Sequence, residues 1–98
     1  MLPVSFAQHV HFLPEVLFRT VGDEAVLLNL KTEKYLGLDP VGTRIWEVLE
    51  RSPTIQAAYD ELAGEYAVEP ERLRIDLEGF IGQIVDQGLA ELTQAAAA

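Results

Sequence analysis

The sequence contains no cysteine. That excludes a disulfide framework and any metal site built on thiolates, and it fits a reducing compartment. Positive charge is scarce: 7 Lys and Arg stand against 16 Asp and Glu, for a formal net charge of −9. A phosphate-backbone partner needs clustered cations, so no nucleic-acid partner is expected. No apolar run approaches the ~18 residues of a membrane span. The apolar N-terminal stretch, Met1 to Phe6, has no Lys or Arg before it and does not read as a signal peptide. A cytoplasmic protein without a membrane partner is the expectation. Histidine is limited to His9 and His11, whose i, i+2 spacing puts both on one face of a strand. No third ligand follows at a telling distance, so they read as exposed terminal histidines and no metal is expected. No Ser-His-Asp or Cys-His set can be assembled, and the glycines form no phosphate-cradling signature. We therefore expect no catalytic residue and no cofactor: a binding protein rather than an enzyme.

What is present fits one domain of 98 residues, 49% of them hydrophobic. Residues 1–9 read as a flexible arm, residues 10–92 as the domain, and residues 93–98 as a disordered tail. Val16, Leu17, Phe18 and Val21 suggest a first strand, ended by the turn residues Gly22-Asp23. Ala25 to Leu30 is nearly continuous apolar and predicts a central strand covered on both faces. After the polar Lys31 to Lys34, Tyr35 to Leu38 gives a short third strand, expected at an edge of the sheet. The period then turns helical. Asp39 suits an N-cap and Pro40 the first helical position; Val41, Ile45, Val48 and Leu49 share a face. Thr54 caps a second helix with the stripe Ile55, Ala58, Tyr59, Leu62 and Tyr66. The third runs from Pro70 to about Gln87, with Leu73, Leu77, Phe80, Ile81 and Ile84 inward and Gly88 as its stop. Leu89 and Leu92 should fold back on the core. The expected fold is α+β and winged helix-turn-helix-like, a three-stranded antiparallel sheet followed by three helices.

Two features suggest a docking place. The third strand presents unpaired main-chain groups, which invite pairing with an extended peptide. Leu36 and Leu38 share one of its faces, Tyr35 and Gly37 the other, and one pair should enter the core. Proline at Leu36 is expected to remove an edge donor, and Lys34 to guard the edge in part. The third helix carries Gly79 and Gly82, each costing about 1 kcal/mol relative to alanine. With Ile75 they form a low, flat line along which another backbone can lie close. The competing expectations are that the chain's own residues 1–12 cover the edge, and that the glycines pack against that arm or the sheet. Trp46 reads as structural, Arg44 as a surface charge, and Arg74 with Glu78 as an i, i+4 pair.

The ordered series Glu24-Ala25-Val26-Leu27-Leu28-Asn29-Leu30, Thr32, Tyr35-Leu36-Gly37-Leu38-Asp39 and Gly42-Thr43-Arg44-Ile45-Trp46-Glu47-Val48-Leu49 resembles the pyrroloquinoline quinone biosynthesis protein D family. Glu65-Tyr66, Val68-Glu69-Pro70, Asp76-Leu77 and Phe80-Ile81 extend the likeness to about residues 10–92. The resemblance implies a precursor-peptide recognition element. Such a domain binds the leader of a ribosomally made peptide by strand addition to its third strand, against its third helix, and presents the core to modifying enzymes. On matching positions, Lys34, Tyr35, Leu36, Gly37, Leu38, Arg72, Ile75, Asp76, Gly79, Phe80 and Gln83 would line the groove, with Asp76 as the polar contact. A short chain of this kind is also similar to the recognition proteins of lasso-peptide pathways, whose partner is a separate leader peptidase. A monomer is expected. The sequence departs from the family at Glu69, where aspartate often caps the helix, and at Gly79 and Gly82, where larger residues are usual. The alternatives are a winged-helix DNA-binding protein, disfavoured by Arg72 and Arg74 facing Glu71, Asp76, Glu78 and Asp86, and a dimerisation or adaptor subunit.

Overall fold

The computed structural model describes residues 5–94. In chain order the elements are β1 (Gln8–Phe12), β2 (Val16–Val21), β3 (Glu24–Asn29), β4 (Tyr35–Leu38), α1 (Pro40–Arg51), α2 (Ile55–Glu65), α3 (Pro70–Asp86) and β5 (Ala90–Gln94). β2, β3 and β4 form a three-stranded antiparallel meander with β3 in the middle. The three helices pack on one side of it, giving the α+β, winged-helix-like fold that the sequence predicts.

Local chemistry sets most boundaries. Gly22 takes a positive φ of 67° in the β2–β3 turn, a conformation that suits a residue without Cβ. The Asp39 carboxylate accepts the Gly42 N–H at 2.7 Å, and Pro40 occupies the first turn of α1. Thr54 Oγ1 accepts the Ala57 N–H at 3.1 Å to start α2. Glu69, where the resembled family often has aspartate, makes no side-chain cap bond at the start of α3. At the other end of α3, the Leu89 N–H donates to Ile84 O at 2.9 Å and the Gly88 N–H to Val85 O at 3.1 Å. With Gly88 at φ 72°, this is a Schellman stop, and it turns the chain into β5.

The core lies between the inner sheet face and the helices. Ala25, Leu27 and Leu38 meet Ile45, Val48 and Leu49 of α1, Ile55, Ala58 and Leu62 of α2, and Leu73, Leu77, Ile81 and Ile84 of α3. Trp46 is only 2% exposed. It stacks on Phe12 at 3.8 Å between ring centroids and on Phe18 at 5.8 Å, joining α1 to β1 and β2.

The structure departs from the sequence expectations at three places. First, β1 pairs antiparallel with β5, from Gln8 opposite Gln94 to Phe12 opposite Ala90. Gln8 and His9, expected in the arm, and Thr93 and Gln94, expected in the tail, are therefore strand residues. Phe6 is held as well: its carbonyl accepts the Gln56 N–H at 2.8 Å and its ring lies 5.6 Å from Tyr59. Residues 1–4 and 95–98, the remainder of that arm and tail, lie outside the described residues. Second, Val41 is 50% exposed, while Gly42, Thr43 and Trp46 are buried. The start of α1 sits tight against β4, with Leu38 Cβ and Cδ2 both 3.6 Å from where a Cβ on Gly42 would stand, and this turns Val41 outward. Third, β3 is covered on one face only: Ala25, Leu27 and Asn29 are buried, whereas Val26 is 42% exposed and Leu30 is exposed too.

Candidate functional site

β4 is an edge strand, bonded to β3 on one side. The register decides which of its main-chain groups are free. The Asn29 N–H donates to Lys34 O at 2.8 Å, just beyond the β3–β4 pairs Leu28–Tyr35, Leu27–Leu36, Val26–Gly37 and Ala25–Leu38. In an antiparallel ladder, bonded and non-bonded pairs alternate. Leu36 and Leu38 therefore bond inward to β3, and the N–H and C=O groups of Tyr35 and Gly37 point away from the sheet. Leu36 is thus not an edge donor; proline there would break the inner ladder instead. Among the described residues, no strand pairs with this outer edge. Of residues 1–12, the proposed cover, residues 5–12 lie elsewhere, on β5 and against α2; residues 1–4 lie outside the described residues.

Side chains divide by face. Leu36 and Leu38 form the inward pair: Leu36 is half-buried and Leu38, 6% exposed, belongs to the core. Leu38 therefore has no side chain to offer a ligand. Tyr35, 72% exposed, and Gly37 lie on the outer sheet face, and Lys34 is exposed just before the strand. On α3, Arg72, Ile75, Asp76, Gly79 and Gln83 are exposed and recur at helical spacing, while Phe80 is half-buried against the core. Arg72 Nε donates to both carboxylate oxygens of Asp76 at 3.1 Å, so this candidate polar contact already has a partner within its own helix. Arg74 pairs with Glu78 at 3.3 Å and also lies over the Phe6 ring, 5.6 Å from its centroid. A Cβ on Gly79 or Gly82 would meet no atom within 4 Å. Among the described residues, neither the sheet nor the arm packs against these glycines, and the strip they form is open.

One link runs between the turn that leads into β4 and the end of α3. Asn29, 2% exposed, donates from Nδ2 to Gly88 O at 2.7 Å, and its Oδ1 accepts the N–H groups of Lys31 and Thr32 at 2.9 and 3.1 Å. Sequence reasoning overlooked this residue, although an amide within the apolar run Ala25 to Leu30 was a signal. It also overlooked the outer sheet face. There Leu17, Val21, Val26, Leu30 and Tyr35 are exposed, an apolar surface distinct from the β4 edge.

The main charge cluster lies away from this edge. Arg44 forms a two-pronged bond to Glu65, 2.8 Å from Nε and 2.6 Å from Nη2, with Glu47 and Glu61 nearby; Arg51 also pairs with Glu61. The Arg44 hydrogen bond holds the Glu65 carboxyl below the usual range, and Glu65 in turn raises Arg44. The sign follows: this pair favours folding at neutral pH, and the benefit fades as pH falls through the carboxylate range. Both groups are about one-third exposed, so salt screens the interaction. Among the described residues, no three His, Cys, Asp or Glu side chains are placed to hold a metal ion. His9 and His11 lie in β1. Among the described residues, no helix is long and apolar enough to cross a membrane.

A three-stranded meander backed by three helices, with an open fourth-strand position, defines a small winged-helix-like domain. This chain belongs to the family described as Coenzyme PQQ synthesis protein D (PqqD), which it matches over residues 24–90. Among solved structures it is similar to TbiB1 in complex with the TbiA(beta) leader peptide. The two are 33% identical, the match covers 90% of this chain and 98% of that one, and the TM-score is 0.75. It shares the fold of a lasso peptide synthetase B1 complexed with the leader peptide, at 22% identity, with 85% of this chain and 98% of that one covered and a TM-score of 0.72. No curated protein matches.

Proposed function

We propose that this chain binds the leader segment of a ribosomally synthesised precursor peptide and delivers it to a processing enzyme such as a leader peptidase. The leader adds as a strand to the outer edge of β4 and rests against α3. The observation that carries this reading is the open edge at Tyr35 and Gly37, together with the uncovered glycine strip on α3. Its support from outside the chain is TbiB1, a relative of similar length solved with a leader peptide.

The chemistry is that of capture, with no reaction step assigned to this chain. Ordering an extended peptide is costly, so main-chain bonds alone give weak binding and apolar anchors must add to them. Ile75, 56% exposed on α3, and the half-buried Phe80 are the groups suited to that role. Asp76 and Arg72 can exchange their mutual pair for contacts with leader side chains of either sign. The processing enzyme is left the outer sheet face around Val21, Val26 and Tyr35, an apolar surface that the leader strand would extend rather than cover. The acidic balance of α3 disfavours duplex DNA on this face.

Tyr35→Pro tests strand addition. Tyr35 is the first residue of β4 and its N–H points outward, a position where a sheet tolerates proline. The variant should remain folded and lose leader affinity by about tenfold, the order expected when a buried acceptor on the leader loses its donor. Calorimetry with the TbiA(beta) leader peptide, bound in the structure of the 33% identical TbiB1, measures it. Unchanged affinity in a folded variant would rule out pairing at this edge.

A further inference from the structure

We infer that Asn29 is the positioning residue of the groove, setting the placement of β4 relative to α3; this rests on the reading that the leader lies between those two elements. Among the described residues the carboxamide is one of three buried polar side chains, and it makes three hydrogen bonds, one as donor and two as acceptor. Its oxygen closes the turn by accepting the Lys31 and Thr32 N–H groups, a local Asx arrangement. The Asn29 main chain holds the same turn: its N–H donates to Lys34 O at 2.8 Å and its C=O accepts from the Glu33 N–H at 2.7 Å. Glu33 takes a left-handed φ of 64° there. The turn that delivers the chain into β4 is thus built around this one residue.

The nitrogen does something the turn does not need. Nδ2 donates to the carbonyl of Gly88, 59 positions away, at 2.7 Å. Gly88 is not a free loop residue. The Schellman bonds to Ile84 and Val85 fix it rigidly to the end of α3. A hydrogen-bonded path therefore runs from α3 through Gly88 and Asn29 to Lys31 and Thr32 of the turn and to Lys34, the residue just before β4. Burying an amide between strands and helices is unfavourable unless every partner is made. A turn alone would be served equally well by Asp or Ser, which also accept from N–H groups two and three residues on. Only a side chain that accepts on one atom and donates on another completes both halves of the link. That requirement, rather than turn formation, accounts for asparagine at a position otherwise surrounded by Leu28 and Leu30.

The separating variant is Asn29→Asp, which keeps the turn acceptor and deletes only the donor to Gly88. Asn29→Ser makes the same separation without a buried charge, because its hydroxyl is too short to span both partners. Val48→Ala, a truncation in α1 at a fully buried site with no side-chain bond to Asn29 or Gly88, serves as the control for plain destabilisation. Two measurements decide the matter. Residual dipolar couplings of the free proteins report the orientation of the β3–β4 hairpin relative to α3. They should change in Asn29→Asp and in Asn29→Ser, and not in Val48→Ala. Titration with the TbiA(beta) leader peptide should show about a tenfold rise in Kd for the two Asn29 variants and none for the folded fraction of Val48→Ala. Unchanged couplings would overturn the positioning role, as would changed couplings with unaltered leader affinity. If the unaltered chain binds no leader while the couplings still respond, the leader reading fails and the mechanical link stands apart from it.

Discussion

Gly79→Leu should weaken leader binding about tenfold or more while making the free protein more stable by up to about 1 kcal/mol. The opposite signs are what make the substitution informative. A glycine in a helix interior gives up backbone entropy, and replacing it relieves that cost where the backbone is helical. Among the described residues no atom lies within 4 Å of a Cβ placed on Gly79, so the new side chain starts into open space. If the glycine existed for internal packing, the same change would destabilise. On the binding side, leucine would raise a four-carbon obstacle on the strip where the leader backbone is placed. Gly82→Ala should behave alike with a smaller effect on binding. Chemical denaturation and calorimetry on the same preparations measure both halves. A stabilised variant with full leader affinity would show that α3 is not a wall of the site.

Trp46→Ala should cost about 3–5 kcal/mol, the range for removing a large buried aromatic. Domains of this size have only about 5–15 kcal/mol to lose, so the variant should lie near the limit of folding at 37 °C. The reason is placement as much as size. Trp46 is 2% exposed and touches Phe12 of the two-stranded ribbon and Phe18 of the three-stranded sheet. Removing it opens a cavity where both sheets meet α1. Among the described residues the indole Nε1–H has no hydrogen-bond partner, as is also true of Thr43 Oγ1. Trp46→Phe should therefore cost much less, because the volume lost is offset by relief of an unsatisfied donor. Urea denaturation followed by circular dichroism tests the pair. A loss below about 1 kcal/mol for Trp46→Ala would mean that the two sheets are held together by other contacts.

The legible parts of the fold were those written in local chemistry. Asp39-Pro40, Thr54, Pro70 and Gly88 mark helix ends through caps and fixed dihedrals, and the structure places α1, α2 and α3 between them. β2, β3 and β4 were visible as apolar runs separated by turn residues. The β1–β5 ribbon was not, because it joins segments about 80 residues apart in sequence, and neither segment carries a turn to its partner. The open outer face of β3 was missed for a different reason. A continuous apolar run is the mark of burial on both faces, and here Val26 and Leu30 keep that pattern while facing outward.

The site divides in the same way. The identity of the edge strand and the oddity of two glycines within α3 were readable from residue types. Which β4 residues turn their main-chain groups outward was not, because that depends on register, and register is set by the Asn29–Lys34 bond. The inward turn of Leu36 and Leu38 also follows from that register. It moves the expected proline test from Leu36 to Tyr35.

Pairing of a leader strand with β4 is read most directly by residue-resolved amide hydrogen exchange with and without leader. The Tyr35 and Gly37 amides should exchange quickly in the free protein and become protected in the complex, while Leu36 and Leu38, already bonded to β3, change little. Bound leader with unaltered exchange at Tyr35 and Gly37 would contradict strand addition at this edge.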